Sequence, residues 1–354
     1  MIISRTPYRI SFFGGGTDYP AWYNNHGGSV IATTIDKYCY ITCRYLPPFF
    51  EHRFRVVYSK IESCQNVDEI THPSVRECLR FLNFERGIEI HHDGDLPARS
   101  GMGSSSSFTV GLLHSLYGLM GRMRSKRELA EESIHVEQNC IKETVGSQDQ
   151  VSAAYGGFNH ITFKTSGTIE VKPIVISSQR VEELNSHLML FYTGIKRTAA
   201  NVAQSYVEDI ECKKRQLRIM KDLVHESLDI LNSNRDVRFF GELLHEAWMA
   251  KRSLSCNVSN SEVDELYEKA RTAGAIGGKL TGAGGGGFLL LFVPPDNQDQ
   301  VVREFNHLIH VPFKFESSGS QIIFVDRQED YSSLEKIRSS QCLAGFRELE
   351  IVAK

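Results

Sequence analysis

Apolar and polar positions alternate through much of the first ninety residues, the period of half-buried strands. Residues 8–13 are apolar and β-prone. Two alternating runs follow at 29–35 and 38–43, and shorter ones at 54–58 and 87–91. The period then lengthens. Leu112, Leu113, Leu116 and Met120 recur at helical spacing within 108–120, and Ser125-Lys126-Arg127-Glu128 has the form of a capping box opening a helix that reaches Lys142. Ser147 heads a short helix stopped by Gly156-Gly157. Strand patterns return at 158–163, 170–176 and 187–192. Long helical patterns cover 199–231, 238–254 and 262–273, and strands at 288–293 and 321–325 close the chain. Strands and helices mix without strict alternation, which predicts an α+β chain. The expected division gives domains 1–170 and 171–354.

The 354 residues suffice for a packed core, and 41% apolar with 23% charged residues describes a globular chain. A formal charge of -3 speaks against a nucleic-acid binder. No basic leader or long apolar run is present, so a cytoplasmic protein without a membrane partner is expected. The eight cysteines show no zinc spacing, and reduced, mostly buried thiols are expected.

Four segments carry candidate chemistry. Residues 96–107 read LPARSGMGSSSS and lead from a strand and turn into the 108–120 helix. Glycines allow close backbone approach, serines supply hydroxyls and caps, and the helix start offers free N–H groups, which together suit a phosphate. No Gly-Lys-Ser/Thr follows, so it is not a Walker A loop; a plain Gly/Ser linker is the bland alternative. Glu137 lies on the apolar stripe of Ala130, Ile134 and Ile141, where a carboxylate needs a partner, either a Mg²⁺ ion or a structural cation. Asp149 falls in the first turn of the short helix, an ordinary place for an aspartate. Residues 279–287, KLTGAGGGG, satisfy G-x-G-x-x-G but precede a strand rather than a helix. That argues against a dinucleotide-binding oxidoreductase and for a close backbone approach. A further glycine turn, 13–20, contains Asp18, an Asx-turn residue or an acceptor for substrate hydroxyls.

Three of these segments, 5–18, 96–108 and 279–288, resemble in order the signature motifs of the galactokinase, homoserine kinase, mevalonate kinase and phosphomevalonate kinase (GHMP) superfamily. The resemblance implies a GHMP kinase fold, with an N-terminal ribosomal-S5-like domain and a C-terminal ferredoxin-like domain. It implies an ATP-dependent sugar kinase, a phosphotransferase with an alcohol acceptor. Pro97, Arg99, Gly101, Met102, Gly103, Ser104, Ser105, Ser106 and Ser107 fall on the ATP loop. Ser105 and Glu137 match the Mg²⁺ ligands, Asp149 the catalytic base, and Arg9 the arginine beside the attacking hydroxyl. Gly16, Thr17, Asp18, Gly282 and Gly284 fall on the substrate side.

Gly14-Gly15-Gly16 stands where galactokinases carry Gly-Glu-His, which puts galactokinase activity in doubt. Residues 12–20, 35–40 and 104–107 look most like D-glycero-D-manno-heptose 7-phosphate kinases, which phosphorylate O1 of a heptose phosphate. Lys196 and Arg197 are the candidates for the substrate's own phosphate. Alternatives are a fucose-type or other sugar 1-kinase, or a silent sugar and nucleotide sensor. A monomer or homodimer is expected.

Overall fold

The computed structural model describes residues 1–341 except 99, 196–201, 203, 206, 208, 209, 328 and 330. Lys196, Arg197, Arg99 and Cys342 therefore lie outside the described residues.

The chain opens with β1 (Ile2–Phe13), α1 (Pro20–His26) and β2 (Gly28–Tyr45). β2 is one continuous strand rather than the two runs the alternation predicts. It crosses several partners, so the burial pattern changes along it while the backbone stays extended. Its first part pairs with β6 (below) and its last part with β5, while β1 runs antiparallel along nearly all of it. The hairpin β3 (Phe54–Val57) and β4 (Ile61–Cys64), helix α2 (Pro73–Phe81) and β5 (Ile88–Gly94) follow. Then come α3 (Ser104–Leu119), α4 (Lys126–His135), α5 (Gln148–Tyr155), β6 (Phe158–Phe163) and β7 (Ile169–Pro173). The capping box of α4 is present, with Ser125 and Glu128 exchanging bonds. The helix does not continue evenly to Lys142. It passes at once into a π-helical turn, Val136–Cys140.

The second half holds α6 (Ser178–Ser186), β8 (Leu188–Tyr192), α7 (Lys214–Asn232), α8 (Arg238–Arg252), α9 (Ser261–Thr272), β9 (Gly277–Leu280), β10 (Phe288–Phe292), α10 (Gln298–Glu304) and β11 (Ile309–His310). Strands β11, β8, β10 and β9 form a four-stranded antiparallel sheet. β10 is buried at every position and so shows no alternation. The chain then returns to the first sheet. β12 (Phe315–Glu316) pairs with the middle of β2, and β13 (Gln321–Val325) pairs with the start of β1. Helix α11 (Ser332–Ser339) follows. Among the described residues the larger sheet thus has nine strands, in the order β13-β1-β2-β5-β3-β4, with β6 and β12 branching from β2 and β7 pairing with β6.

Helix α3 packs on β1 and β2, and its residues are buried almost all round, as expected of a helix at the centre of a core. Among the described residues no helix is long and apolar enough to cross a membrane. Of the described cysteines, four are buried and Cys212 and Cys256 are exposed, all unpaired.

Candidate active site

A cleft of about 220 Å³ opens where the glycine turn after β1, the start of α3, the start of α5, the end of α8 and the loop after β9 converge. Sequence reasoning had named most of these segments one by one; the fold brings them to one place.

Arg9 projects from β1 and is 4% exposed. Its Nε and Nη2 donate to Asp149 Oδ1 and Oδ2 at 2.8 and 2.7 Å, a bidentate pair, and its Nη1 donates to the Gly101 carbonyl at 2.6 Å. Such a fork fixes both partners in plane and direction. Asp149 keeps part of its side chain open to the cleft, in the first turn of α5. The backbone joins the same parts: Arg9 N–H donates to the Met102 carbonyl.

The start of α3 stands at this point, and the first N–H groups of a helix lack partners within the helix itself. Gly103 is left-handed (φ 73°) and serves as N-cap, and α3 begins at Ser104. The serines are thus the first turn of the helix rather than a loop before it. Ser104, Ser105 and Ser106 all line the cleft, Ser105 exposed and Ser106 largely buried. A helix start without acidic residues is a ready site for phosphate oxygens. Three expected loop residues do other work. Met102 is in the core, Ser107 donates to the Pro7 carbonyl at 2.9 Å, and Pro97 is exposed away from the cleft.

Glu137 sits in the π turn after α4 and is fully buried. Such turns re-aim a side chain within a helix. Its Oε2 accepts from Ser106 Oγ at 2.9 Å and Gln150 Nε2 at 2.5 Å, while Oε1 has no partner. Burial pushes its carboxyl up to about 7. An orphaned carboxylate oxygen beside a helix start suits Mg²⁺, which takes few protein ligands and completes its shell with water and phosphate. No cluster of three or more His, Cys, Asp or Glu side chains that could hold a metal exists among the described residues. The serine that meets Glu137 is Ser106, one position beyond the expected Ser105; successive helical residues point about 100° apart, and Ser105 turns outward instead.

Asp18 is buried. Its Oδ1 accepts from Gly16 N–H at 2.9 Å and its Oδ2 from Gln148 N–H at 3.4 Å, so it caps α5 where Ser147 was expected to. Burial, and then the charge of Asp149, raise its carboxyl pKa. Gly146 is required here, because a Cβ would lie 1.9 Å from Asp18 Oδ2. Gly16 lines the cleft as expected. Thr17 does not: it is buried, and its hydroxyl bridges the backbone of Gly14 and Ser29.

The second glycine loop packs backbone to backbone on the first. A Cβ on Gly282 would lie 2.5 Å from Gly101 Cα, and one on Gly101 would lie 2.7 Å from the Thr281 carbonyl. Gly282 lines the cleft. Gly284 instead supports the loop against Val258, so it holds shape rather than substrate.

Lys251 at the end of α8 escaped sequence reasoning, and Lys279 in β9 lay inside a named segment without being given a role. Lys251 could have been found, since it continues the apolar stripe of Leu244 and Trp248 at helical spacing, as Glu137 does on its own helix.

The assembled parts agree with sequence comparison. Residues 73–157 match the GHMP kinases N terminal domain and residues 219–310 the GHMP kinases C terminal domain. The chain is 30% identical over 240 residues to a mevalonate kinase of Thermococcus onnurineus, covering 64% of this chain and 67% of that one. It is 26% identical over 313 residues to a D-glycero-alpha-D-manno-heptose 7-phosphate kinase of Campylobacter jejuni, covering 85% and 92%. A crystal structure of a D-glycero-D-manno-heptose 1-phosphate kinase from Bacteriodes thetaiotaomicron superposes with a TM-score of 0.75 at 23% identity, covering 92% of this chain and all of that one. The chain belongs to the GHMP kinase family. It is a phosphotransferase with an alcohol group as acceptor, and ATP is the co-substrate that this family implies.

Proposed function

We propose that the protein is a sugar kinase that phosphorylates O1 of D-glycero-D-manno-heptose 7-phosphate, giving the 1,7-bisphosphate. The observation that carries the catalytic part is the bidentate Arg9–Asp149 pair at the mouth of a glycine- and serine-rich helix start. The likeness to the Campylobacter enzyme carries the substrate. The division of labour follows: residues 1–170 hold the nucleotide, and 171–354 supply the second wall and return β12 and β13 to the first sheet.

In the mechanism, Gly101, Gly103 and the N–H groups of Ser104, Ser105 and Ser106 receive the triphosphate. Glu137, with Ser105 or Ser106, would hold Mg²⁺, which supplies charge neutralisation of the phosphates. Asp149 uses one lone pair on each oxygen for Arg9 and retains others for the acceptor hydroxyl. The sugar oxygen attacks the γ-phosphorus as the bond to the bridging oxygen breaks. The hydroxyl proton passes to Asp149, and ADP leaves. Arg9 fixes the carboxylate and offsets charge near the attacking oxygen; positioning and electrostatics dominate, as in phosphoryl transfer generally. Asp18 shapes the acceptor side by fixing the Gly16 turn against α5. Gly15 and Gly16 themselves offer the acceptor no polar side chain, although Ser11, Asp18 and Gln148 line the cleft nearby, and an acceptor phosphate would supply a further grip. Lys196 and Arg197 remain our candidates for that phosphate.

The test is ADP release with ATP and Mg²⁺ across heptose 7-phosphate, free heptose, mannose, fucose, galactose and mevalonate. Turnover confined to heptose 7-phosphate is expected. Turnover of a free sugar would move the substrate, and silence with ATP bound would leave a sensor.

A further inference from the structure

Lys251 and Lys279 are 5% and 4% exposed, yet both face the cleft. Lys251 Nζ donates to the carbonyls of Gly282 and, at 3.5 Å, Leu280. Lys279 Nζ donates to the Phe12 carbonyl at 2.8 Å. Each ammonium has three N–H groups, and neither lysine forms an ion pair among the described residues. The nearby carboxylates are already engaged, Asp149 by Arg9 and Asp18 by the N–H groups of Gly16 and Gln148. Buried cations without counter-charge are costly. Burial first, and crowding by neighbouring cations second, lower both lysines' pKa values, that of Lys251 to about 7. Lysines whose pKa values are lowered in this way hold their protons weakly, and an anion beside them would restore their full charge.

The position says which anion. The Gly282 carbonyl that holds Lys251 belongs to the loop packed on Gly101, and the Gly101 carbonyl in turn holds Arg9. Lys251 therefore stands across the cleft from the Arg9–Asp149 pair, facing the place where the phosphoryl group changes partners. We infer that Lys251, backed by Lys279, contacts the phosphoryl group from the second wall and holds its charge during transfer. This rests on the kinase reading above. Both lysines come from the second half of the chain, so the catalytic charge is divided between the two walls and is complete only when both are in place.

The experiment compares the full-length protein with K251M and K279M, using ATP, Mg²⁺ and each acceptor that the parent protein turns over, with Tm measured in parallel. Methionine keeps the length and removes the charge. For K251M, kcat should fall roughly 10²- to 10³-fold with every such acceptor while the acceptor KM changes little. Ligand-free Tm should hold or rise, because an uncompensated buried cation is gone. K279M should show the same signs with a smaller fall.

Unchanged kcat with a lowered Tm would make these lysines structural and overturn the inference. So would a loss confined to the KM of a phosphorylated acceptor, which would assign Lys251 to the acceptor's own phosphate. If the parent protein turns over nothing, it is the kinase reading that fails, and inorganic tripolyphosphate then serves as the probe. It should raise Tm in the parent protein and distinctly less in K251M; equal gains would sink the inference on its own.

Discussion

Two carboxylates are held in opposite ways, Asp149 on the cleft wall and Glu137 buried behind the start of α3. Asp149 is partly open and locked on both oxygens by one arginine. Glu137 is fully buried, bonded on one oxygen only, and pushed up to about 7. A carboxylate clamped by a guanidinium is held in one plane and direction, which suits a group that must orient a hydroxyl. A carboxylate buried with a spare oxygen is poised to take a cation. Local environment, not residue type, separates the two roles.

Five substitutions would break or sharpen that contrast. Asp149→Asn should lower kcat by roughly 10²- to 10⁴-fold while ATP still binds, read by steady-state kinetics beside nucleotide titration; full turnover would remove Asp149 as the base. Gly282→Ala tests whether the two glycine loops must touch. The residue is left-handed (φ 68°) and an added Cβ meets Gly101, so both Tm and turnover should drop, by several degrees and at least tenfold.

Glu137→Gln should weaken the Mg²⁺ dependence of turnover, and an unchanged Mg²⁺ titration would dismiss it as a ligand. The same variant has a pH signature without metal. A carboxyl whose folded pKa is raised stabilises the fold below its ordinary value near 4.5, and that stability is lost as pH rises through about 7. Metal-free parent protein should therefore lose on the order of 3 kcal/mol between those pH values from this group, and the glutamine variant should lack that component. The smallest effect separates the serines. Ser106→Ala should cost about 1 kcal/mol of stability by removing a bond to Glu137, whereas Ser105→Ala should leave stability unchanged and alter only Mg²⁺ dependence.

Much of this site was legible in the sequence because its parts are local. A glycine-serine run ahead of an apolar helix, a carboxylate on an apolar stripe and an aspartate in a first turn each have a physical meaning within a few residues. What was not legible depends on distant partners. Thr17 looked like a substrate contact, yet the strand at Ser29 takes its hydroxyl. Ser147 looked like a cap, yet Asp18, distant in sequence, does that work by accepting from Gln148 N–H. The single β2 strand was read as two because its partners change midway. The π turn at Glu137 has no pattern signal of its own. Lys251 was overlooked although the stripe logic that exposed Glu137 applies to it as well.

The pairing of β13 with β1 bears on how the chain is made. Ile2 and Ile3 find Val325 and Phe324 as neighbours, so the outer edge of the first strand waits for almost the whole polypeptide to leave the ribosome. Until then that edge offers unpaired N–H and carbonyl groups beside the apolar residues of the growing sheet. Closing so long a loop is slow. A newborn chain halted short of residue 321 would keep a sticky border, and this is where shielding by a chaperone during synthesis would matter most.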